Sequence, residues 1–189
     1  MLVANYDLDR DLRTAKEMAA GLTPYIYEDE LYGLMPGDLP KLTVGGLMMR
    51  LHRLTAISGE LSPAQQEVLR TAQEKLDAVR RDWMVAYEGK LQREFSARIT
   101  SISQFLSECS DSPHNCADGY PSTAEKRAIA EALNDEALRL NIMVSDVKGA
   151  LLSIDNKLHR YTHEGDFIWD ARLKPAYPPE KYWFLYVKF

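Results

Sequence analysis

The first apolar pattern along the chain has the spacing of a helix. Apolar side chains recur every three or four positions, at Leu8, Leu12, Ala15 and Ala19. This spacing predicts a helix over residues 7–22, which Gly21 and Pro24 are expected to end. The loop that follows is rich in proline and glycine, and within it residues 25–27 are a candidate short strand.

Two further helices are predicted from capping residues and apolar spacing. A helix is predicted over residues 43–58, with the threonine at its first position as the N-terminal cap. Ser62 followed by Pro63 is a typical helix start, and no proline then occurs before the loop that carries the cysteines. Apolar residues keep helical spacing at Leu69, Ala72, Leu76, Val79, Trp83, Ala86 or Tyr87, Leu91, Phe95, Ile99, Ile102 and Leu106. One long helix is therefore predicted over residues 62–110.

The most regular pattern lies in the second half of the chain. A loop rich in Ser, Asp, Asn, Pro and Gly carries both cysteines, and Ser122 and Glu125 after it have capping-box spacing. Steps of three and four then alternate through Ala130, Leu133, Ala137, Leu140, Val144, Val147, Leu151, Ile154, Leu158 and Tyr161. A heptad pattern of this length is typical of coiled-coil packing, and it predicts a helix over residues 122–163.

The two long helices determine the predicted fold class. Helices joined by a short loop fold back as antiparallel neighbours, so we expect a coiled-coil-like helical hairpin over residues 62–163. The chain is then mainly α and is predicted to be a single domain over residues 1–189. Residues 1–61 supply shorter helices and a loop, and residues 164–189 supply a small β element.

The C-terminal tail differs in composition from the helices. It is rich in aromatic residues, and prolines at positions 175, 178 and 179 exclude a regular helix. Residues 182–189 alternate in the manner of a strand. A single strand needs a partner, for which residues 25–27 and a second subunit are both candidates.

Composition excludes several broad classes of protein. With 46% apolar residues, 27% charged residues and a net charge of −5, the chain is typical of a folded domain and lacks a strongly basic surface. Nucleic-acid binding is therefore not expected. The chain has no apolar run of membrane-spanning length and carries charges within its first ten residues. No membrane association is expected, and a cytoplasmic location is predicted.

Cys109, His114 and Cys116 are the first candidate metal ligands. Three nitrogen and sulfur donors within one loop can close on zinc, with Asp111 as a fourth ligand. The spacing matches no standard zinc motif, and two cysteines are too few for a disulfide framework. A polar loop with two free thiols is the preferred interpretation, and a disulfide and a metal site are the alternatives.

Asp155, His159 and His163 are the second candidate set of metal ligands. Their spacing places them on one helix face, as in two-histidine metal sites. Histidines in a last helical turn are also favoured by the negative end of the helix dipole. A surface position without a metal is therefore the preferred interpretation.

Lys41, Arg50 and Arg53 form a candidate anion-binding site. They lie in a segment without acidic residues, and Gly45–Gly46 near its helix start is compatible with an anion at a helix N-terminus. No phosphate-loop motif accompanies them. The preferred interpretation is that this basic segment faces an acidic surface, for which the run at residues 28–30 is a candidate.

Function is predicted from the helices rather than from a motif. No common catalytic motif occurs, and the sequence leaves the cofactor unknown. Long apolar helix faces need a partner, so we expect a non-enzymatic protein–protein interaction or assembly protein, most simply a homo-oligomer. A different protein partner is also open. The alternative is a metal-dependent or small-ligand-binding enzyme with a site between helices, and a nucleic-acid-associated protein that uses residues 41–53 is a third hypothesis.

Overall fold

The computed structural model describes residues 6–111, 116–142 and 147–189, and these are mainly helical. The helices are α1 (Leu8–Tyr27), α2 (Val44–Ala56), α3 (Pro63–Asp82), α4 (Met84–Asp111), α5 (Cys116–Arg139) and α6 (Val147–Tyr161). Two short strands, β1 (His163–Glu164) and β2 (Val187–Lys188), form an antiparallel sheet. The prediction of a mainly α chain with a small β element from its tail is confirmed. Within the described ranges, no helix has the length and apolar character needed to cross a membrane.

The chain divides into two compact units between Glu94 and Phe95. The N-terminal unit contains α1, α2, α3 and the start of α4. The C-terminal unit contains the rest of α4 and the elements that follow it. The single domain over residues 1–189 stays a prediction.

Three helices build the core of the N-terminal unit. α1 packs mainly against α3 and also against α2, which in turn contacts α3. The core side chains with almost no exposed surface are Met18, Leu22, Leu47, Met49 and Leu54. Tyr87 and Leu91, in the first turns of α4, are also fully buried. The start of α4 is therefore part of a close-packed unit.

Both helix starts predicted after the first loop are confirmed. The Thr43 hydroxyl accepts a hydrogen bond from the Gly46 N–H at 3.0 Å and caps α2. At the start of α3, the side chains of Ser62 and Gln65 each accept from the backbone N–H of the other, with Pro63 as the first helical residue. Local side-chain chemistry therefore fixes where these two helices begin.

The predicted end of the first helix is wrong. α1 continues through Gly21 and Pro24, so residues 25–27 are helical and do not form a strand. A proline inside a helix removes one backbone hydrogen bond. Burial of Tyr25 and Ile26, of which only 2% and 3% is exposed, offsets that loss.

The long helix predicted over residues 62–110 is interrupted at Trp83. This residue leaves helical geometry, with φ −133° and ψ 36°, and separates α3 from α4. Its N–H still donates to the Val79 carbonyl, and its carbonyl accepts from the Tyr87 N–H, both at 2.9 Å. The interruption is one residue wide and contains neither glycine nor proline, so the sequence carries no ordinary helix-breaking signal there.

The helix predicted over residues 122–163 differs at its start and in its middle. α5 begins at Cys116, so Ser122 lies inside the helix and not at its cap. The helix ends before Asn141, which has a left-handed φ of 53°. The predicted continuous helix is therefore two shorter ones.

Backbone hydrogen bonds close the end of α5. The Asn141 N–H donates to the Leu138 carbonyl at 3.2 Å, and the Ile142 N–H donates to the Ala137 carbonyl at 2.9 Å. This pair of bonds around a left-handed residue is a common helix C-terminal cap, and asparagine is one of the residues that tolerate the position. The apolar spacing continues across this cap although the helix does not.

The end of α4 and the start of α5 contact each other within the C-terminal unit. Cys109 and Cys116 are joined by a disulfide. Farther from it, the Lys126 Nζ donates to the Ser101 Oγ at 2.9 Å. Cys116, at the start of α5, contacts the end of α4, whereas Lys126, farther along α5, contacts the earlier residue Ser101. These two stretches therefore run antiparallel. The coiled-coil-like hairpin over residues 62–163 is not built from two continuous helices.

The tail forms less strand than its alternation predicts. Within residues 182–189, the segment Trp183–Leu185 is a 3-10 helix, and only Val187–Lys188 is a strand. Its partner is residues 163–164, so the predicted pairing with residues 25–27 is wrong. The tail folds back onto the end of α6, where Trp183 stacks on His159 and Phe189 stacks on Tyr161.

Candidate interaction surface

The predicted anion-binding arginines lie in an internal ion pair. Arg53 binds both carboxylate oxygens of Asp11, with its Nε 2.6 Å from Oδ2. The Arg50 Nε lies 3.4 Å from the Asp11 Oδ1, and its Nη1 donates to the Gly46 carbonyl at 2.8 Å. Asp11 and Arg50 are only 5% and 7% exposed. The fold therefore brings two of the three candidates together on a carboxylate and leaves Lys41 exposed.

The acid that these arginines meet is Asp11 and not the acidic run at residues 28–30. The Tyr6 hydroxyl also donates to Asp11, at 2.6 Å from its Oδ2. The acidic run lies instead beside Lys90, whose ammonium group donates to the backbone carbonyl of the last residue of the run. Burial lowers the pKa of Lys90, the charge of Arg93 adds to this effect, and the carboxylates of the run oppose it.

The second set of predicted metal ligands is not brought together. Asp155 accepts two hydrogen bonds from Arg127, each 2.9 Å long. His159 stacks on Trp183 with ring centroids 3.7 Å apart, and His163 is exposed in β1. In the part of the chain that the structure describes, no group of three or more His, Cys, Asp or Glu side chains is placed to hold a metal ion.

The cysteines of the other predicted metal set are bonded to each other. Cys109 and Cys116 are 0% and 4% exposed and form a disulfide, whereas His114 lies outside the described residues. The preferred interpretation as two free thiols is therefore wrong. Zinc binds thiolates, and these sulfurs are not thiolates in this state. The pairing follows from the meeting of two helices, which brings the Cα atoms within 5.7 Å.

Arg127 is the centre of a buried ion-pair cluster in the C-terminal unit. It is 3% exposed, and besides Asp155 it binds the Glu131 Oε2 at 2.7 Å. Its Cζ lies 4.7 Å from the ring centroid of Phe184. Burial acts to lower the pKa of Arg127, but hydrogen bonds and charges from the two carboxylates raise it overall. Helical spacing did not predict this cluster, because only Glu131 lies on the same helix as Arg127, whereas Asp155 and Phe184 come from other elements.

Large apolar side chains are exposed together where α3 meets α4. Trp83, Met84 and Val85 follow one another in sequence and are 41%, 37% and 86% exposed. Tyr27, at the end of α1, is 54% exposed, and its ring packs edge-on against Trp83 with centroids 4.6 Å apart. We call these four residues the apolar surface. Single exposed apolar residues are ordinary, but a contiguous group of them is typical of a binding surface.

The interruption of the helix lies at Trp83, a member of this group. Leu76 and Val79 of α3 are buried, and continued helical spacing from them places Trp83 in the core. At Trp83 the chain leaves helical geometry and the side chain is exposed, and burial resumes four residues later, at Tyr87. Apolar spacing therefore counts Trp83 as a core residue. The signal in the sequence for the surface is the run of three consecutive large apolar side chains.

Charged side chains of both signs border the apolar surface. Arg81 and Asp82, directly before Trp83, pair with each other at 2.8 Å and keep 71% and 48% of their side chains exposed. The exposed acidic run at residues 28–30 follows Tyr27. An apolar centre with a polar rim is the general anatomy of protein–protein interfaces.

The C-terminal unit also exposes large apolar side chains, but singly. Leu138 of α5 is 57% exposed, and Leu152 of α6 is 61% exposed. Neither has an exposed large apolar residue next to it in sequence. They therefore serve as comparison positions for the apolar surface of the N-terminal unit.

No protein family model, curated protein sequence or solved structure matches this chain.

Proposed function

We propose that this chain is a non-enzymatic protein–protein interaction or assembly protein that associates with copies of itself through its α3–α4 region. The observation that carries the proposal is the apolar surface at the junction of these helices. Tyr, Trp and Met are enriched at the centres of protein–protein interfaces. Removing apolar area from water contributes about 25 cal/mol per Å², so covering these side chains favours association.

The buried ion pairs support this proposal because they hold the helices in fixed positions. Asp11 ties α1 to α2, and Arg127 ties α5 to α6. Lys90 and Glu94 of α4 bind backbone groups of the N-terminal unit, with the Gly45 N–H donating to Glu94 at 2.7 Å. A surface carried on rigid helices loses little conformational entropy on binding.

Light scattering coupled to size-exclusion chromatography tests self-association. The monomer has a mass of 21.5 kDa. We expect the weight-average mass to rise above this value as the protein concentration increases from about 1 to about 200 µM, since an interface of modest size gives micromolar affinity. A mass that stays at that of the monomer over the whole range contradicts the proposal.

A further inference from the structure

We propose that a second copy of the chain covers the apolar surface around a two-fold axis, with Arg81 of each copy paired to Asp82 of the other. This inference rests on the proposed self-association and names its surface and its symmetry. A two-fold interface uses the same patch on both copies, so the patch must be complementary to itself. The residues that border Trp83 meet this condition.

The charge arrangement at the edge of the surface favours a second copy. Near a two-fold axis each charged residue lies close to its own counterpart, and a rim of one sign repels itself. Arg81 and Asp82 have opposite charges on adjacent positions and are already matched in the single chain at 2.8 Å. At positions 81 and 82, two copies can therefore exchange partners in both directions, Arg81 to Asp82, without placing like charges opposite each other.

Breaking the Arg81–Asp82 pair within one chain costs little free energy because both side chains are exposed. Surface ion pairs of this kind contribute little to the stability of a single chain. In the interface the same charges lie beside apolar side chains that exclude water, where attraction between opposite charges is stronger. The exchange therefore adds specificity to an association that the apolar side chains drive.

The size of the surface fits the centre of an ordinary interface. An aromatic side chain removes about 150–250 Å² from water when it is fully buried, so covering Trp83 and Tyr27, which are 41% and 54% exposed, removes roughly 150–250 Å². A standard interface buries about 800 Å² per partner. The two aromatic side chains thus supply roughly a quarter of that area, Met84 and Val85 add further exposed apolar area, and the polar residues around them supply the rim.

Charge reversal tests this arrangement by sedimentation velocity over a concentration series. We expect Arg81→Asp and Asp82→Arg each to raise the dissociation constant at least about tenfold, because each places like charges opposite each other. Mixing the two variants in equal amounts pairs two acids with two bases, so the mixture is expected to associate about as tightly as the wild type. The double variant R81D/D82R is expected to recover association for the same reason.

The outcomes separate this inference from the proposed function. If the wild type associates and both single variants associate equally well, or if the mixture of weakened variants does not recover, the two-fold arrangement is wrong and self-association stands. If the wild type stays monomeric, self-association itself is wrong, and the surface is left to a different protein. Circular dichroism of each variant checks its fold, which is expected to be unchanged because both side chains are exposed.

Discussion

Ion pairs between buried charged side chains hold neighbouring helices of this molecule together. In the N-terminal unit, Asp11 is placed between Arg50 and Arg53, and in the C-terminal unit Arg127 is placed between Glu131 and Asp155. Removing one member of such a cluster leaves the others buried without compensation. The clusters therefore make the helix positions sensitive to single substitutions.

The variant Asp11→Asn tests this at the ion pair of α1 and α2. It keeps the shape of the side chain but leaves the buried guanidinium of Arg50 and the partly buried guanidinium of Arg53 without a carboxylate, and we expect the free energy of unfolding to fall by about 3 kcal/mol. The measurement is the urea midpoint followed by circular dichroism. The matched control is Asp38→Asn, whose carboxylate pairs with Arg10 at 2.7 Å but is 71% exposed. Equal midpoints for the two variants contradict the role given to Asp11.

Tyr120 gives the C-terminal unit a pH dependence. Its hydroxyl donates to the Phe184 carbonyl at 2.6 Å, and burial, followed by the charge of Asp155, raises its pKa above the usual 10.0. Because the folded-state pKa is the higher one, the stabilising contribution is complete below pH 10 and is lost as the pH rises from there toward the folded-state pKa.

The variant Tyr120→Phe should therefore differ from the wild type in two ways. At pH 8 the loss of one buried hydrogen bond is expected to lower the free energy of unfolding by about 1 kcal/mol. Between pH 9 and pH 11 the melting temperature of the variant is expected to fall less than that of the wild type. If the melting temperatures of the variant and of the wild type fall by the same amount between pH 9 and pH 11, Tyr120 does not contribute to the pH dependence.

At the scale of elements, sequence signals located helix starts better than helix ends. The caps at Thr43 and at Ser62 and Pro63 are local, since the bonds involve residues three positions apart, and both are confirmed. The expected stop at Pro24 and the expected start after Pro121 are wrong, because burial of neighbouring side chains outweighs the cost of a proline. Tertiary packing decides these ends, and it is not visible in local sequence.

Apolar spacing also failed to predict where the long helices are interrupted. Apolar spacing continues through Trp83 and through Asn141, although neither residue is helical. Asn141 could have been recognised, because asparagine is common at left-handed helix ends. Trp83 carries no comparable signal, so the apolar surface could not be located from periodicity.

Two glycines test the account of helix packing in opposite directions. Gly89 lies inside α4, and no described atom lies within 4 Å of a Cβ placed on it. Gly89→Ala is therefore expected to increase the free energy of unfolding by about 0.5–1 kcal/mol, from helix propensity alone.

A Cβ on Gly46 instead lies 2.7 Å from the Thr43 Oγ1, so Gly46→Ala is expected to displace the cap and lower the free energy of unfolding by about 1 kcal/mol. Urea midpoints that move in the same direction for both variants contradict this account.

At the scale of the whole molecule, apolar periodicity and proline positions indicated the fold class, and the tertiary contacts supplied the candidate site. The mainly α class with a small β element from the tail was predictable, because periodicity and proline positions are properties of the chain itself. The pairing of Arg53 with Asp11, and of Cys109 with Cys116, joins separate elements, so the sequence left each with alternatives. Long apolar helix faces predict an interaction role from sequence. In the structure, the proposed interaction surface is the short exposed apolar run at Trp83, Met84 and Val85, together with Tyr27.

Self-association through the apolar surface is tested most directly by comparing Val85→Asp with Leu152→Asp by sedimentation equilibrium. Both side chains are strongly exposed, at 86% and 61%, but only Val85 belongs to the apolar surface. An aspartate at the second residue of α4 is favoured by the helix dipole, so weaker association is not explained by unfolding. We expect Val85→Asp to raise the dissociation constant of the self-associated protein at least about tenfold, whereas Leu152→Asp leaves it within about twofold of the wild type. Equal dissociation constants for the two variants contradict the claim that copies of this chain meet through the apolar surface at the α3–α4 junction.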